Sequence, residues 1–205
     1  KNKKICKDDL QKTSQLPVEN VPLFGMVSRI DSLKGFDLLC EIIDELVKLP
    51  MQLVILGSGD KLYQDRLSEL GLKYSDKLSV NLKFDNALAH KIYAGSDFFL
   101  MPSSAEPCGL SQMISMRYGT IPIVHKTGGL ADTVMQFDSK TKKGTGIVFE
   151  KYESEVLLEA IKSGLNIYKK KPLLTAIRTN ELKKDFSWNE SVKEYIKVYK
   201  RVCGL

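Results

Sequence analysis

Short apolar runs alternate along this chain with longer segments whose apolar residues recur at helical spacing. Residues 21–27 (VPLFGMV) read as a buried strand, with Pro22 tolerated at its start. Residues 36–49 (FDLLCEIIDELVKL) follow as an amphipathic helix. The alternation continues with strands at 52–57, 78–84, 97–101, 120–124 and 146–149. Helices are predicted at 60–72, 87–94, 109–118 and 130–136, and three more close the chain at 154–168, 173–184 and 188–202. Strands that are apolar on both faces and alternate with helices predict an α/β fold with a parallel sheet covered on both sides. Right-handed crossovers then give a doubly wound, Rossmann-like sheet of about six strands. In such a sheet ligands bind beyond the carboxyl ends of the strands, where strand order reverses. The candidate chemistry is therefore sought just after each strand.

After the first strand come Ser28, Arg29 and Lys34, leading into a helix. A helix N-terminus attracts phosphate, and two cations beside it add full charges. A solvated loop with incidental basic residues explains the segment equally well. After the second strand, Gly57-Ser58-Gly59 permits a tight turn near a ligand but lacks the spacing of a dinucleotide fingerprint. After the third, Phe84 is either a ring for a nucleobase or simply core, and His90 reads as a packed or surface histidine. After the fourth come Glu106, Cys108, Gly109 and Leu110. Glu106 either accepts hydrogen bonds from sugar hydroxyls or only stabilises a helix start. Cys108 reads as a small, partly buried residue, because the two histidines, His90 and His125, form no triad order with it. After the fifth, Thr127, Gly128 and Gly129 either let backbone amides approach a diphosphate or form a flexible turn.

Composition narrows the field. A chain of 205 residues with 43% hydrophobic content can bury a real core. The net charge of +6 suggests an anionic partner. Its lysines cluster near the ends and read as solvated surface, and no RNA-binding aromatic motif or zinc spacing supports nucleic acid as that partner. Four separated cysteines suit a reduced, cytoplasmic chain. No apolar run is long enough to cross a membrane. The polar stretch at 1–16 reads as linker.

The motifs VSRIDSLKGFDLL, ALAHKIYAGSDFFLMPSSAEPCGLSQM, RYGTIPIVHKTGGLADTV and DFSW resemble those of the glycogen and starch synthase family of glycosyltransferases, over about residues 21–199. The resemblance implies a GT-B enzyme, with two Rossmann-like domains and the active site between them. This chain resembles the second, donor-binding domain, with 1–20 as a linker from a missing N-terminal domain and 21–205 as the nucleotide-sugar-binding domain and its C-terminal helices. The implied reaction transfers glucose, with retention, from ADP-glucose to the non-reducing end of an α-1,4-glucan, without a catalytic metal or other cofactor. Arg29 and Lys34 resemble the pair on the donor's phosphates, and Glu106 the carboxylate on glucose. Cys108, Gly109 and Leu110 resemble the loop beside the sugar, and Thr127, Gly128 and Gly129 the phosphate-facing turn. Phe84 stands where the family usually has a Tyr stacked on adenine, and Lys83 replaces a common Gly. Ile114 occupies the place of a second carboxylate found in related families. The rival expectations are a GT-B transferase using a UDP- or GDP-sugar, and a non-catalytic nucleotide- or glucan-binding module.

Overall fold

A computed structural model describes residues 2–204. Six parallel strands form one sheet: β1 (Leu23–Val27), β2 (Gln52–Leu56), β3 (Leu78–Asn81), β4 (Phe98–Met101), β5 (Ile121–His125) and β6 (Ile147–Phe149). Their order is β3-β2-β1-β4-β5-β6, so the chain reverses direction across the sheet between β1 and β4. This is the expected doubly wound α/β architecture.

Period-two alternation explains why the central strands are apolar throughout. Phe24, Met26, Leu53, Ile55, Phe98 and Leu100 pack on one face, with α2 (Phe36–Leu46), α3 (Lys61–Lys73), α7 (Ser154–Tyr168) and α8 (Lys171–Leu182) contributing to that core. Leu23, Val54, Leu56, Phe99 and Met101 pack on the other, with α1 (Asn2–Thr13), α4 (Asn86–Gly95), α5 (Ser111–Arg117) and α6 (Gly128–Thr133). Asp60 and Asp85 start α3 and α4 by accepting hydrogen bonds from the Leu62 and Leu88 amides, both at 2.9 Å. α9 (Trp188–Val202) buries none of its residues.

The N-terminal stretch differs from the expected linker. Residues 2–13 are helical and pack against α4, burying Leu10 together with the polar Lys7 and Gln11 rather than an apolar stripe. Lys7 and Asp97 pair at 2.6 Å with side chains only 7% and 5% exposed. Asp97 also accepts from Arg178 at 2.8 Å and from the Leu23 amide at 3.1 Å. Lys7 donates further to the Tyr168 hydroxyl at 3.0 Å and to the Val21 carbonyl. One carboxylate at the start of β4 thus ties together α1, β1 and α8.

A second buried acid lies near this network. Both carboxylate oxygens of Glu181 are buried without a hydrogen-bond partner. Burial pushes its pKa from 4.5 up to about 8, against the opposing pull of Arg178 and Lys3. The fold therefore keeps this proton across a pH range in which the unfolded chain has released it, and stability falls as pH rises from about 4.5 to about 8. Lys3, lowered to about 7 mainly by burial, acts in the opposite direction above that value. Glu181→Leu is expected to stabilise the chain by about 1–3 kcal/mol near pH 8 and by less near pH 5. Thermal denaturation at the two pH values checks this, and an equal gain at both would remove ionisation as the cause.

Candidate functional site

The site forms at the carboxyl ends of β1 and β4, on either side of the reversal in strand order. Beyond β1 the chain stays paired with the segment after β2, through Ser28 N to Leu56 O at 3.1 Å and Ile30 N to Ser58 O at 2.9 Å. Buried Ile30 anchors this extension. Asp31 then caps a short 3-10 turn, Ser32–Lys34, accepting from the Lys34 amide at 3.1 Å. Gly35 ends the turn at φ +80°, and a Cβ there would sit 2.3 Å from the Pro102 carbonyl oxygen. Only glycine permits both that backbone angle and that approach. The Ser104 amide reaches back to the Leu33 carbonyl at 3.0 Å. Two loops, 31–35 and 102–106, are thereby held against each other.

This contact brings together residues more than seventy positions apart. Lys34 Nζ donates to Glu106 Oε2 at 2.6 Å, with side chains 21% and 11% exposed. The Ser103 hydroxyl donates to the same oxygen at 3.1 Å. Both residues line a cavity of about 140 Å³, together with Ser28, Arg29, Gly109 and Leu110. Arg29 is 68% exposed on the rim and pairs with Asp31 at 3.0 Å. An adjoining cavity of about 290 Å³ shares Val27, Ser28 and Arg29 with the first and is lined further by Gly57, Lys83 and Phe84. β3 ends at Asn81, short of the expected strand, so Phe84 falls on the following connection. Its ring is 92% exposed, which excludes the core reading. Lys83 pairs with Asp85 at 2.8 Å.

The remaining expected residues are not among those lining either cavity. Cys108, in the irregular loop before α5, is exposed rather than partly buried. The Thr127-Gly128-Gly129 turn packs behind that loop. The Gly129 amide donates to the Glu106 carbonyl at 2.9 Å, and a Cβ on Gly129 would meet the Cys108 carbonyl oxygen at 2.0 Å. Gly129 is therefore required for backbone-to-backbone packing, and its amide serves the neighbouring loop. Gly128 is exposed. His90 sits on α4, 3.3 Å from the Tyr118 hydroxyl through Nδ1. Among the described residues, no group of three or more His, Cys, Asp or Glu side chains could hold a metal ion. No helix among them is long and apolar enough to cross a membrane.

Sequence reasoning did not single out Ser103, Tyr152 or the supporting role of His125. His125 Nδ1 lies 2.8 Å from the Ser103 carbonyl, which fixes that nitrogen as the donor. Tyr152 follows β6 and reaches the 31–35 turn. A lone Tyr after an edge strand carries no sequence signal for such a contact.

Comparison with known proteins places this architecture. The family model described as "Glycosyl transferases group 1" matches residues 7–181. Glycogen synthase of Fervidobacterium nodosum is 48% identical over 199 residues, covering 97% of this chain and 41% of that protein. Glycogen synthase of Lactococcus lactis subsp. lactis is 48% identical over 198 residues, covering 96% of this chain and 41% of that protein. Among solved structures, the catalytic domain of starch synthase IV from Arabidopsis thaliana, bound to ADP and acarbose, superposes with a TM-score of 0.87 at 36% identity. That match covers 97% of this chain and 42% of the other. The chain thus spans about 41% of the length of the glycogen synthases it matches. A family match over residues 7–181 and a shared fold identify this chain as a member of the group 1 glycosyl transferases.

Proposed function

We propose that this chain is the donor-binding part of a retaining glucosyltransferase that moves glucose from ADP-glucose to the non-reducing end of an α-1,4-glucan. The observation that carries the reading is the Lys34–Glu106 pair at 2.6 Å in a cavity that Arg29 also lines. A sugar diphosphate needs cations for one end and a hydroxyl-binding carboxylate for the other, and this cavity offers both within reach. Glu106 takes the glucose hydroxyls, beside the loop of Cys108, Gly109 and Leu110. Lys34 and Arg29 take the diphosphate, with Ser28, Thr127 and Gly128 nearby and Gly129 supporting the loop from behind. The adenine lies on Phe84 in the adjoining cavity, whose wall includes Gly57. As the glycosidic bond breaks, negative charge builds on the leaving ADP, and the two cations stabilise it. ADP as the base-bearing product is supported by the glycogen synthase relatives and by the ADP held in the starch synthase IV structure.

A first domain in the same polypeptide completes the active site and most of the glucan surface in this reading. Trp188, Val192, Tyr195, Ile196, Tyr199 and Val202 lie along α9 at helical spacing and are all exposed, a face suited to such a partner. Its closure would exclude water from the reaction. The four free thiols fit a reducing cytoplasm. This chain alone is expected to bind ADP weakly and to transfer almost no glucose.

Calorimetric titration with ADP, UDP and GDP tests the assignment. ADP should bind tightest, and preference for UDP or GDP would redirect the reading to another nucleotide sugar. Arg29→Ala should weaken ADP about ten- to hundredfold, the worth of one or two charge-assisted hydrogen bonds. Unchanged affinity would remove Arg29 from the site.

A further inference from the structure

The segment after β6 lies outside the five strand ends that carry the donor site, yet one of its side chains touches the supports of both key residues. Tyr152 reaches across to the start of α2. Its hydroxyl donates to Asp37 Oδ1 at 2.7 Å and sits 3.0 Å from the Ser32 carbonyl, at the head of the turn bearing Lys34. The single phenolic proton goes to the carboxylate, the nearer and charged acceptor. The Tyr152 ring also packs edge-on against His125, with centroids 5.3 Å apart and planes at 60°. His125 in turn donates to the Ser103 carbonyl at 2.8 Å, and the Ser103 hydroxyl donates to Glu106.

We propose that Tyr152 is a positioning residue: through Asp37, in the first turn of α2 directly after Gly35, it fixes the turn bearing Lys34, and through His125 it fixes the loop bearing Glu106, so that a sugar diphosphate meets the pair already aligned. The proposal rests on the donor-binding reading above. Preorganised groups are worth more than mobile ones, because no ordering cost remains when the ligand arrives. Burial, then Asp37, pushes the phenol above its ordinary range, so the hydroxyl remains a donor at any working pH.

Tyr152→Phe keeps the ring against His125 and removes only the hydroxyl. In this chain, without ligand, amide hydrogen exchange at Lys34, Gly35 and Ser104 should accelerate about tenfold, while the strand amides stay protected. ADP affinity should fall about fivefold, and the same substitution in a Lys34→Ala background should change it less than about twofold. A general loss of structure would instead speed exchange everywhere and weaken ADP equally in both backgrounds. Either of those results, or unchanged exchange in the 31–35 turn, overturns the proposal. If the unaltered chain binds no ADP, the donor-binding reading falls, and the exchange result alone upholds or overturns the role of Tyr152.

Discussion

Lys34→Ala, made in the proposed two-domain polypeptide, is expected to lower kcat for the proposed glucosyl transfer by about 10²–10³-fold, the usual cost of one preorganised donor to developing charge. On the donor-binding reading the lysine acts mainly in the transition state. Before bond cleavage the diphosphate already carries its charge, and Arg29 shares it. During cleavage further charge arrives on the leaving oxygen, so kcat should fall more than the KM for ADP-glucose rises. The substitution also strips Glu106 of its charged partner and leaves Ser103 as the neighbour on that oxygen. Lys34→Arg should not restore activity, because a planar guanidinium does not fit the space of a compact ammonium 2.6 Å from Glu106. Steady-state rates with ADP-glucose and a glucan acceptor are the measurement. A kcat within about threefold of the parent would contradict this account of the leaving group.

The largest stability effect is expected away from the cavity. Asp97→Asn should destabilise the chain by about 3–5 kcal/mol, because it leaves Lys7 charged and buried without its counter-ion. Asn also cannot accept from Lys7, Arg178 and the Leu23 amide as a carboxylate does. At this chain length the loss corresponds to a fall in Tm of roughly 6–20 °C. Lys7→Met should cost much less, since it removes the buried charge rather than its partner. Thermal melts of the two variants decide the point. Equal losses would mean that packing of α1, and not the pair, is what matters.

The contrast between these two places explains what was legible in the sequence. The sheet and its helices follow from apolar periodicity, since burial of alternate residues is what makes a strand or helix stay in place. α7 and α9 match their expected bounds, and the other strands and helices shift by only a few residues at their ends. α1 was missed because Lys7, Leu10 and Gln11 are its buried residues, and only one of them is apolar. A pattern of hydrophobicity cannot register a helix that docks through an ion pair. That Arg29, Lys34 and Glu106 line one cavity was readable because strand ends in this topology converge. The support behind them was not. Gly129 reads from sequence as part of a phosphate-facing or a flexible turn, whereas its missing Cβ makes room for the Cys108 carbonyl. Tyr152 gains its contact only from the crossing of β6 toward α2, which no local motif encodes.

Charge pairing in the crevice has a consequence for how a ligand would be captured. Lys34 faces Glu106, Arg29 faces Asp31, and Lys83 faces Asp85. Each of these three cations is already neutralised at short range, so the entrance projects little attraction into the surrounding water despite the chain's net +6. An incoming anion would have to compete with carboxylates for these cations, and added salt should slow its arrival only slightly. Recognition at this mouth would come from fit at close quarters, with Asp31 and Asp85 held in place by the amides of Lys34 and Leu88.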